Sequence, residues 1–399
     1  MNVRLLLAAA LLAPAALQAQ QRYGFLARLG VDTISVESVT RWPDHLVSDQ
    51  VERFPRVIRR HTEIRFGPDK RIRQLIQDIT LPTATTPKWK SRRFTADYLG
   101  DSVRITVRNG EGSSSLMLAT GGATTLPWTA HQYSLSELFL DQAPRTLGDS
   151  LFLRLYYVDM QIEDFGSLPK GLIPGGYVRR LSGGRVEVFH HDGLAGAGEG
   201  AFDADGRMLA YSGARSTYKV EVTRTTTPPD VDAVAAAFTA LEKQNGVPAG
   251  LSLRDTTRAT IGTAQLLVDY GRPLVRGRTL LGAVIPFGQV WRTGANAATQ
   301  FSTSAPIRVG GRTLPAGIYS LWTRPDPNGV ILLVNGQHGQ WGTQYDASRD
   351  LDSIPLARET RAGSAEKFTI SIVPVDRHHG TLVFEWGTFR WVVGMETED

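Results

Sequence analysis

The chain has 399 residues, 42% hydrophobic and 21% charged, with 44 Lys and Arg against 39 Asp and Glu. This is the composition of a globular protein with room for two or three domains, not of a disordered or fibrous chain. Cysteine is absent, which excludes disulfides, thiolate nucleophiles, Cys-based metal sites and a lipidated cysteine.

The chain opens on Met1 and Arg4, followed by an apolar run from Leu5 to Leu17 and then Gln18-Ala19-Gln20. A basic start, an apolar stretch of about a dozen residues and a small residue before the break form a secretory signal peptide. Residues 1–20 are assigned to it, with the cut after Ala19 or Gln20. The run is too short to span a bilayer, which takes about 20 apolar residues, and no later segment does better. The expected location is periplasmic or secreted, with no transmembrane segment.

From residue 21 to 225 the hydrophobic pattern has period two. Val103, Ile105 and Val107 alternate with polar neighbours, as do Val186 and Val188, and Tyr218, Val220 and Val222. Such alternation puts one strand face in a core. Asn109-Gly110, Gly183-Gly184 and Asp205-Gly206 break the runs with residues suited to tight turns. Phe66-Gly-Pro-Asp69-Lys-Arg71-Ile72 and Phe202-Asp-Ala-Asp205-Gly-Arg207-Met208 share one pattern, and each predicts a hairpin. Ser134 and Glu137 have capping-box spacing at the head of a short helix, 134–140. This N-terminal region reads as an antiparallel β domain, an open sheet or half-barrel whose pattern resembles that of lipoprotein-carrier half-barrels.

Thr225-Thr-Thr-Pro-Pro229 is linker-like, and Asp230 can cap a helix whose Val231, Val234, Ala235, Phe238 and Leu241 form one stripe. Gly246 can end it. A connector helix over 226–248, docked on one of the β domains, is expected. From 249 to 399 short strands return: Gln265–Tyr270, residues 300–309, Gly317–Arg324, Val330–Val334, Lys367–Val373 and Thr381–Trp386. Many short strands between Gly, Pro and Asn turns point to a sandwich or jelly-roll. The fold class is therefore all-β, two β domains joined by one helix.

No Gly-x-Ser-x-Gly elbow, His-Glu-x-x-His helix or phosphate loop occurs. The glycines of 193–200 lack dinucleotide spacing and lead into a strand. His190-His191-Asp192 and Asp376-Arg-His378-His379 carry paired histidines, but neighbours on an extended chain face opposite ways, so both pairs read as surface turns. No metal and no cofactor is expected. Arg53 to Arg73 and Lys88 to Arg93 hold basic clusters, able to attract anionic headgroups or glycans but read mainly as solvated strand faces. Nucleic acid is not an expected partner of an exported chain without a binding motif.

Chemistry-bearing residues concentrate in the C-terminal domain. Asp269-Tyr-Gly-Arg272-Pro273, Gly277-Arg278, Val290-Trp-Arg292-Thr-Gly-Ala-Asn296, Leu314-Pro-Ala-Gly-Ile-Tyr319 and Gln340-Trp341-Gly342 follow in order. Five of the eight tryptophans lie beyond residue 290. Arg272, Arg292 and Asn296 are donors set beside glycines, and Trp322 and Trp341 offer flat faces. Aromatic rings with guanidinium and amide donors suit a glycan, another small molecule or a lipid headgroup. The same residue types fill cores and tie loops, so each also has a purely structural reading. These motifs, over roughly 252–393, resemble the bacterial domain-of-unknown-function family numbered 2911. The resemblance implies a secreted or envelope β-rich domain and brings no catalytic residues with it.

Three functional readings follow. The first is a non-catalytic envelope protein that binds a ligand through Arg272, Arg292, Asn296, Trp322 and Trp341. The second is a hydrolase drawing an acid–base pair from Asp269, Asp346, Glu366, Glu385 or His338, with Arg292 stabilising a developing anion. The third is an assembly scaffold, which an open sheet edge on the N-terminal domain would favour.

Overall fold

A computed structural model describes residues 20–53, 56–129, 131–158, 173–190, 197–217, 219–246 and 251–397. The expected signal segment up to residue 19, Tyr218, His191 with Asp192, and residues 193–196 lie outside the described residues. The chain is all-β, with two sheets in two domains joined by one helix. No helix among the described residues is long and apolar enough to cross a membrane.

The N-terminal sheet begins with eight strands that pair in chain order. They are Gln21–Leu29 (β1), Asp32–Arg41 (β2), His45–Glu52 (β3), Ile58–Phe66 (β4), Ile72–Thr80 (β5), Ser91–Tyr98 (β6), Ser102–Asn109 (β7) and Gly112–Ala119 (β8). A four-residue helix, Pro87–Lys90 (α1), precedes β6. Seven more strands continue from the other side of β1. They are Thr125–Trp128 (β9), Ser150–Tyr157 (β10), Ile173–Arg180 (β11), Arg185–His190 (β12), Gly198–Phe202 (β13), Met208–Ser212 (β14) and Glu221–Thr225 (β15). β15 lies against β1, and the order runs back to β9 at the far edge. All pairs are antiparallel except β9 with β10.

The two repeated-pattern hairpins are alike in register: Phe66 faces Ile72 and Phe202 faces Met208, each beside a one-residue shift. Asp203 stabilises its turn by accepting hydrogen bonds from the amides of Asp205 and Arg207, both at 2.9 Å.

This sheet curls. β6 and β10 stand eleven steps apart along the strand order, about 50 Å in a flat sheet. Yet the Tyr98 and Tyr156 hydroxyls are 2.9 Å apart, and the Tyr98 hydroxyl donates to the Thr125 carbonyl. The inward face therefore encloses one apolar cluster, contributed by strands from both arms. A helix, Tyr133–Leu140 (α2), sits inside with every residue but Ser136 buried.

The capping box expected there does not form. Gln132 is the N-cap and gives no side-chain cap, while Ser134 lies inside the helix. The cap comes from the sheet: the Glu37 carboxylate accepts from the amides of Tyr133 and Ser134, at 2.7 and 3.0 Å, and from the Ser134 hydroxyl. Ser48 donates to it as well. Glu137, freed from capping, accepts from the Tyr23 hydroxyl, the Met208 amide and Arg224.

The connector helix spans Val231–Asn245 (α3), capped by Asp230 through the Ala233 amide and ended at Gly246, φ 78°. It docks on the outer face of the N-terminal sheet, where Val231, Ala235 and Phe238 meet Val36, Val51 and Val57. Leu241 is exposed rather than part of the stripe. The next residue, Glu242, is buried and accepts from the Val57 amide and the Thr83 hydroxyl.

The C-terminal sheet has eleven strands: Leu253–Ile261 (β16), Ala264–Arg272 (β17), Thr299–Thr303 (β18), Ile307–Val309 (β19), Arg312–Leu314 (β20), Gly317–Asp326 (β21), Gly329–Asn335 (β22), Asp350–Glu359 (β23), Ala365–Pro374 (β24), His379–Gly387 (β25) and Phe389–Glu396 (β26). β16, β17, β18, β21, β22, β23 and β26 pair in that order, and β25 and β24 branch from β26. β24 then meets the chain leaving β17, where the Phe368 amide donates to the Pro273 carbonyl. The sheet is nearly barrel-shaped around its own apolar core.

Candidate functional site

The family-like motifs converge on one long connection, residues 273–298, between β17 and β18. A segment of this length without a strand of its own is uncommon in a compact domain unless it serves function. Only six non-glycine residues among those described have positive φ, and three are here: Arg276 (50°), Thr293 (49°) and Asn296 (64°). Backbone held in this region costs of order 1–3 kcal/mol per residue and persists where its surroundings over-determine it.

Those surroundings are close-packed. Trp291 exchanges both backbone hydrogen bonds with Thr323, and its ring stacks on Trp386 at 5.5 Å and meets Phe368 edge-on at 5.2 Å. Thr293 is buried, with its carbonyl accepting from the Thr299 hydroxyl at 2.7 Å. Gly271 lies against Ala295 so tightly that a Cβ at 271 would stand 2.1 Å from the Ala295 carbonyl oxygen. Gly342 lies equally close to its neighbours, since a Cβ there would stand 2.3 Å from Arg292 Cδ and 2.4 Å from the Asn296 oxygen. The glycines of the motifs thus bring 271, 295, 296 and 342 together as bare backbone.

Three of the five residues singled out in the sequence share this cluster. The Arg292 side chain runs past Gly342 and donates from Nη1 to the Asn296 carbonyl at 3.2 Å. It forms no ion pair among the described residues, and burial lowers the pKa of its guanidinium. Asn296 is exposed, and its side chain makes no hydrogen bond among the described residues. Trp341 bridges Ala297, its amide donates to Gln344 Oε1 at 3.0 Å, and the residue is 44% exposed.

The other two stand apart. Arg272 spends its guanidinium on the Phe368 carbonyl, Asp255 and Thr369. Trp322, 1% exposed, donates Nε1–H to Ser320 and packs on Tyr345 at 4.9 Å, leaving no ring face open. Gln340, from the same motifs, and Asn335, at the end of β22, also tie internal groups, on Ser320 and on Asp346 and Asp350.

Two cations lie nearby. Arg278 donates to the carbonyls of Leu274 and Val275. Lys219, another positive-φ residue, comes from the N-terminal domain and donates to the Ala214 carbonyl at 2.6 Å. Burial lowers its pKa, and the charges of Arg278 and Arg292 lower it further, as expected for three cations near one another. The domains touch beside them, with the Val31 amide on the Arg276 carbonyl at 3.0 Å and Arg276 paired to Asp32. Lys219 carries no local signal in the sequence and is placed there only by the packing of the two domains.

The carboxylates considered for acid–base work are separated. Asp269 pairs with Arg254, Glu385 with Arg361 and Arg390, and Asp346 accepts from Ser348. Glu366 holds the Arg276 amide, and none of these carboxylates bonds to another. No group of three or more metal-binding side chains occurs among the described residues. The His378–His379 pair lies in a turn closed by Asp376.

Residues 252–395 match the family described as Protein of unknown function (DUF2911), in the region its motifs mark. No curated protein matches the chain. Among solved structures, a DUF1089 family protein from Pseudomonas aeruginosa aligns at 14% identity and a TM-score of 0.32. The alignment covers 53% of this chain and 97% of that one, and at this score it carries no argument.

Proposed function

We propose that this is an exported, non-catalytic envelope protein whose C-terminal domain binds an acidic glycan at Arg292, Asn296 and Trp341. The observation that carries the reading is Arg292: a partly buried guanidinium with, among the described residues, one hydrogen bond, to a carbonyl, and no carboxylate partner. A cation taken from water without a counter-ion is unfavourable, and an incoming carboxylate that accepts from both free nitrogens relieves it. The half-exposed Trp341 ring beside it can stack on a sugar face, and the free Asn296 amide can reach hydroxyls. Lys219 and Arg278 add positive potential.

The test is calorimetric titration with a short oligogalacturonate and, separately, with an uncharged malto-oligosaccharide. The acidic sugar should bind more tightly, and Arg292→Ala should weaken it by tenfold or more, about 1.4 kcal/mol. Arg292→Lys should recover only part, because an ammonium cannot make the planar two-point contact. Equal affinity of wild type and Arg292→Ala would remove the site. Export is tested by the mass of the protein recovered from the envelope fraction, which should begin at Gln20 or Gln21.

A further inference from the structure

The N-terminal sheet ends at β8, and this edge differs from the others. An exposed strand edge offers unpaired N–H and C=O groups, and proteins usually blunt it with charge, proline, brevity or cover. In the described residues, β16 carries Arg254, Asp255 and Arg258, β9 is four residues long with Pro127, and β20 is three residues long. β8 has eight residues, Gly112–Ala119, with no charge and no proline.

Its register gives the edge a direction. The β7–β8 hairpin closes on Asn109 and Gly112, so bonded and non-bonded pairs alternate from there. The backbone groups of Ser113, Ser115 and Met117 therefore point away from β7. Their side chains lie on the outer face, where all three are exposed, Met117 by 50%.

The neighbours supply a charge preference. Opposite Ser113 on β7 is Arg108, and opposite Met117 is Arg104. Both arginines are exposed and form no ion pair among the described residues, although Arg104 faces Asp97 on β6, whose carboxylate accepts from Gln74. On its other side Arg108 faces Arg93, a like-charge pair across the strands, and the carboxylate there, Asp78, already holds Arg93 in two hydrogen bonds. Like charges directly opposite are unfavourable. Ser113 and Ser115 are small enough for an arginine to lean across them towards the edge.

We propose that β8 receives an extended acidic segment of another protein as an added strand. Its main chain would pair with Ser113, Ser115 and Met117, and its outward acidic side chains would meet Arg104 and Arg108. Strand addition of this kind draws affinity from main-chain bonds and selectivity from alternate side chains. A second copy of this chain would bring two more arginines to the same seam, which disfavours it.

The test uses the full chain and a fluorescein-labelled peptide of alternating Glu and Val, about ten residues long, followed by anisotropy. A Lys/Val peptide is the control. The acidic peptide should bind at least tenfold more tightly than the basic one, and more weakly as salt rises. Arg108→Glu, which leaves the backbone untouched and gives Arg93 a new partner, should weaken it at least tenfold. Ser115→Pro removes an outward N–H, an arrangement an edge strand tolerates, together with one exposed hydroxyl contact to Thr106, and should abolish binding. Hydrogen exchange at Ser113, Ser115 and Met117 should slow when the acidic peptide is added, a readout independent of any variant. Equal binding of both peptides, or unchanged exchange at those amides, would overturn the proposal. So would a dimer dissolved by Ser115→Pro in a chain that ignores the peptide, since that assigns the edge to a second copy.

Discussion

The two domains are built from the same kind of strand and put their carboxylates in different places. In the N-terminal domain Glu37, Glu52, Glu137, Arg60, Gln50 and Gln77 are buried inside the curled sheet. In the C-terminal domain the interior cluster is apolar and aromatic, and the donors gather on the connection 273–298. The difference follows from what each sheet encloses. The N-terminal sheet wraps a two-turn helix, whose terminal N–H groups need partners that so short a segment cannot supply itself. The sheet provides them from strand residues and accepts the cost of burying carboxylates. The C-terminal sheet closes on its own side chains and buries none of its carboxylates among the described residues. One domain uses charge to hold a segment in place, and the other leaves charge available to solvent.

Four experiments sharpen or break this contrast. The largest effect is expected from Glu37→Ala. It strands the two amides and two hydroxyls that donate to the carboxylate and should cost about 3–5 kcal/mol in denaturant unfolding. The loss should fall on the N-terminal transition alone. A shift in both transitions would mean the domains unfold as one unit.

Glu52 gives the pH counterpart. Burial raises its carboxyl, but Arg60 and His131, at 3.1 and 2.9 Å, outweigh burial and hold it down to about 2. A folded pKa below the unfolded value of 4.5 means its contribution is complete above that value and lost as pH falls towards 2. The expected loss is about 3 kcal/mol over that window, and Glu52→Gln should flatten the profile. A variant with an unchanged profile would assign the acid sensitivity elsewhere.

Next comes Gly271→Ala, whose methyl would meet the Ala295 carbonyl oxygen at 2.1 Å. About 1–3 kcal/mol of C-terminal stability should be lost, with the N-terminal transition unmoved. The smallest effect belongs to Trp341→Ala. The ring is half-exposed, so stability should change by no more than about 0.5 kcal/mol, while affinity for oligogalacturonate falls. A large stability loss would make Trp341 a packing residue and weaken the ligand-binding proposal.

Much of the strand framework is legible in the residue pattern because a half-buried strand must alternate. Val103, Ile105 and Val107 announce β7, and the paired Phe-x-x-Asp-x-Arg segments announce two hairpins of matching register. The Asp230 cap and the Gly246 stop of α3 are equally readable, since both act within one turn of chain. The cap of α2 is not. Ser134 and Glu137 have the right spacing, but the Ser134 amide that Glu137 would satisfy faces Glu37, about a hundred residues away. The five site residues divide in the same way: their types are visible in the sequence, and their freedom is not. Arg272 and Arg292 sit in similar glycine-flanked surroundings, yet one is spent on β24 and Asp255 and the other keeps open donors.

By itself the sequence determined the β class, the joining helix and the residues that mark the C-terminal family, because periodicity, caps and motifs act over a few neighbouring positions. Only the tertiary structure decided which carboxylate caps a helix and, among the described residues, which arginines lack a counter-ion and which strands form the sheet edges. Those properties belong to groups far apart along the chain, and they exist only once the curled sheet and the long connection bring them into contact.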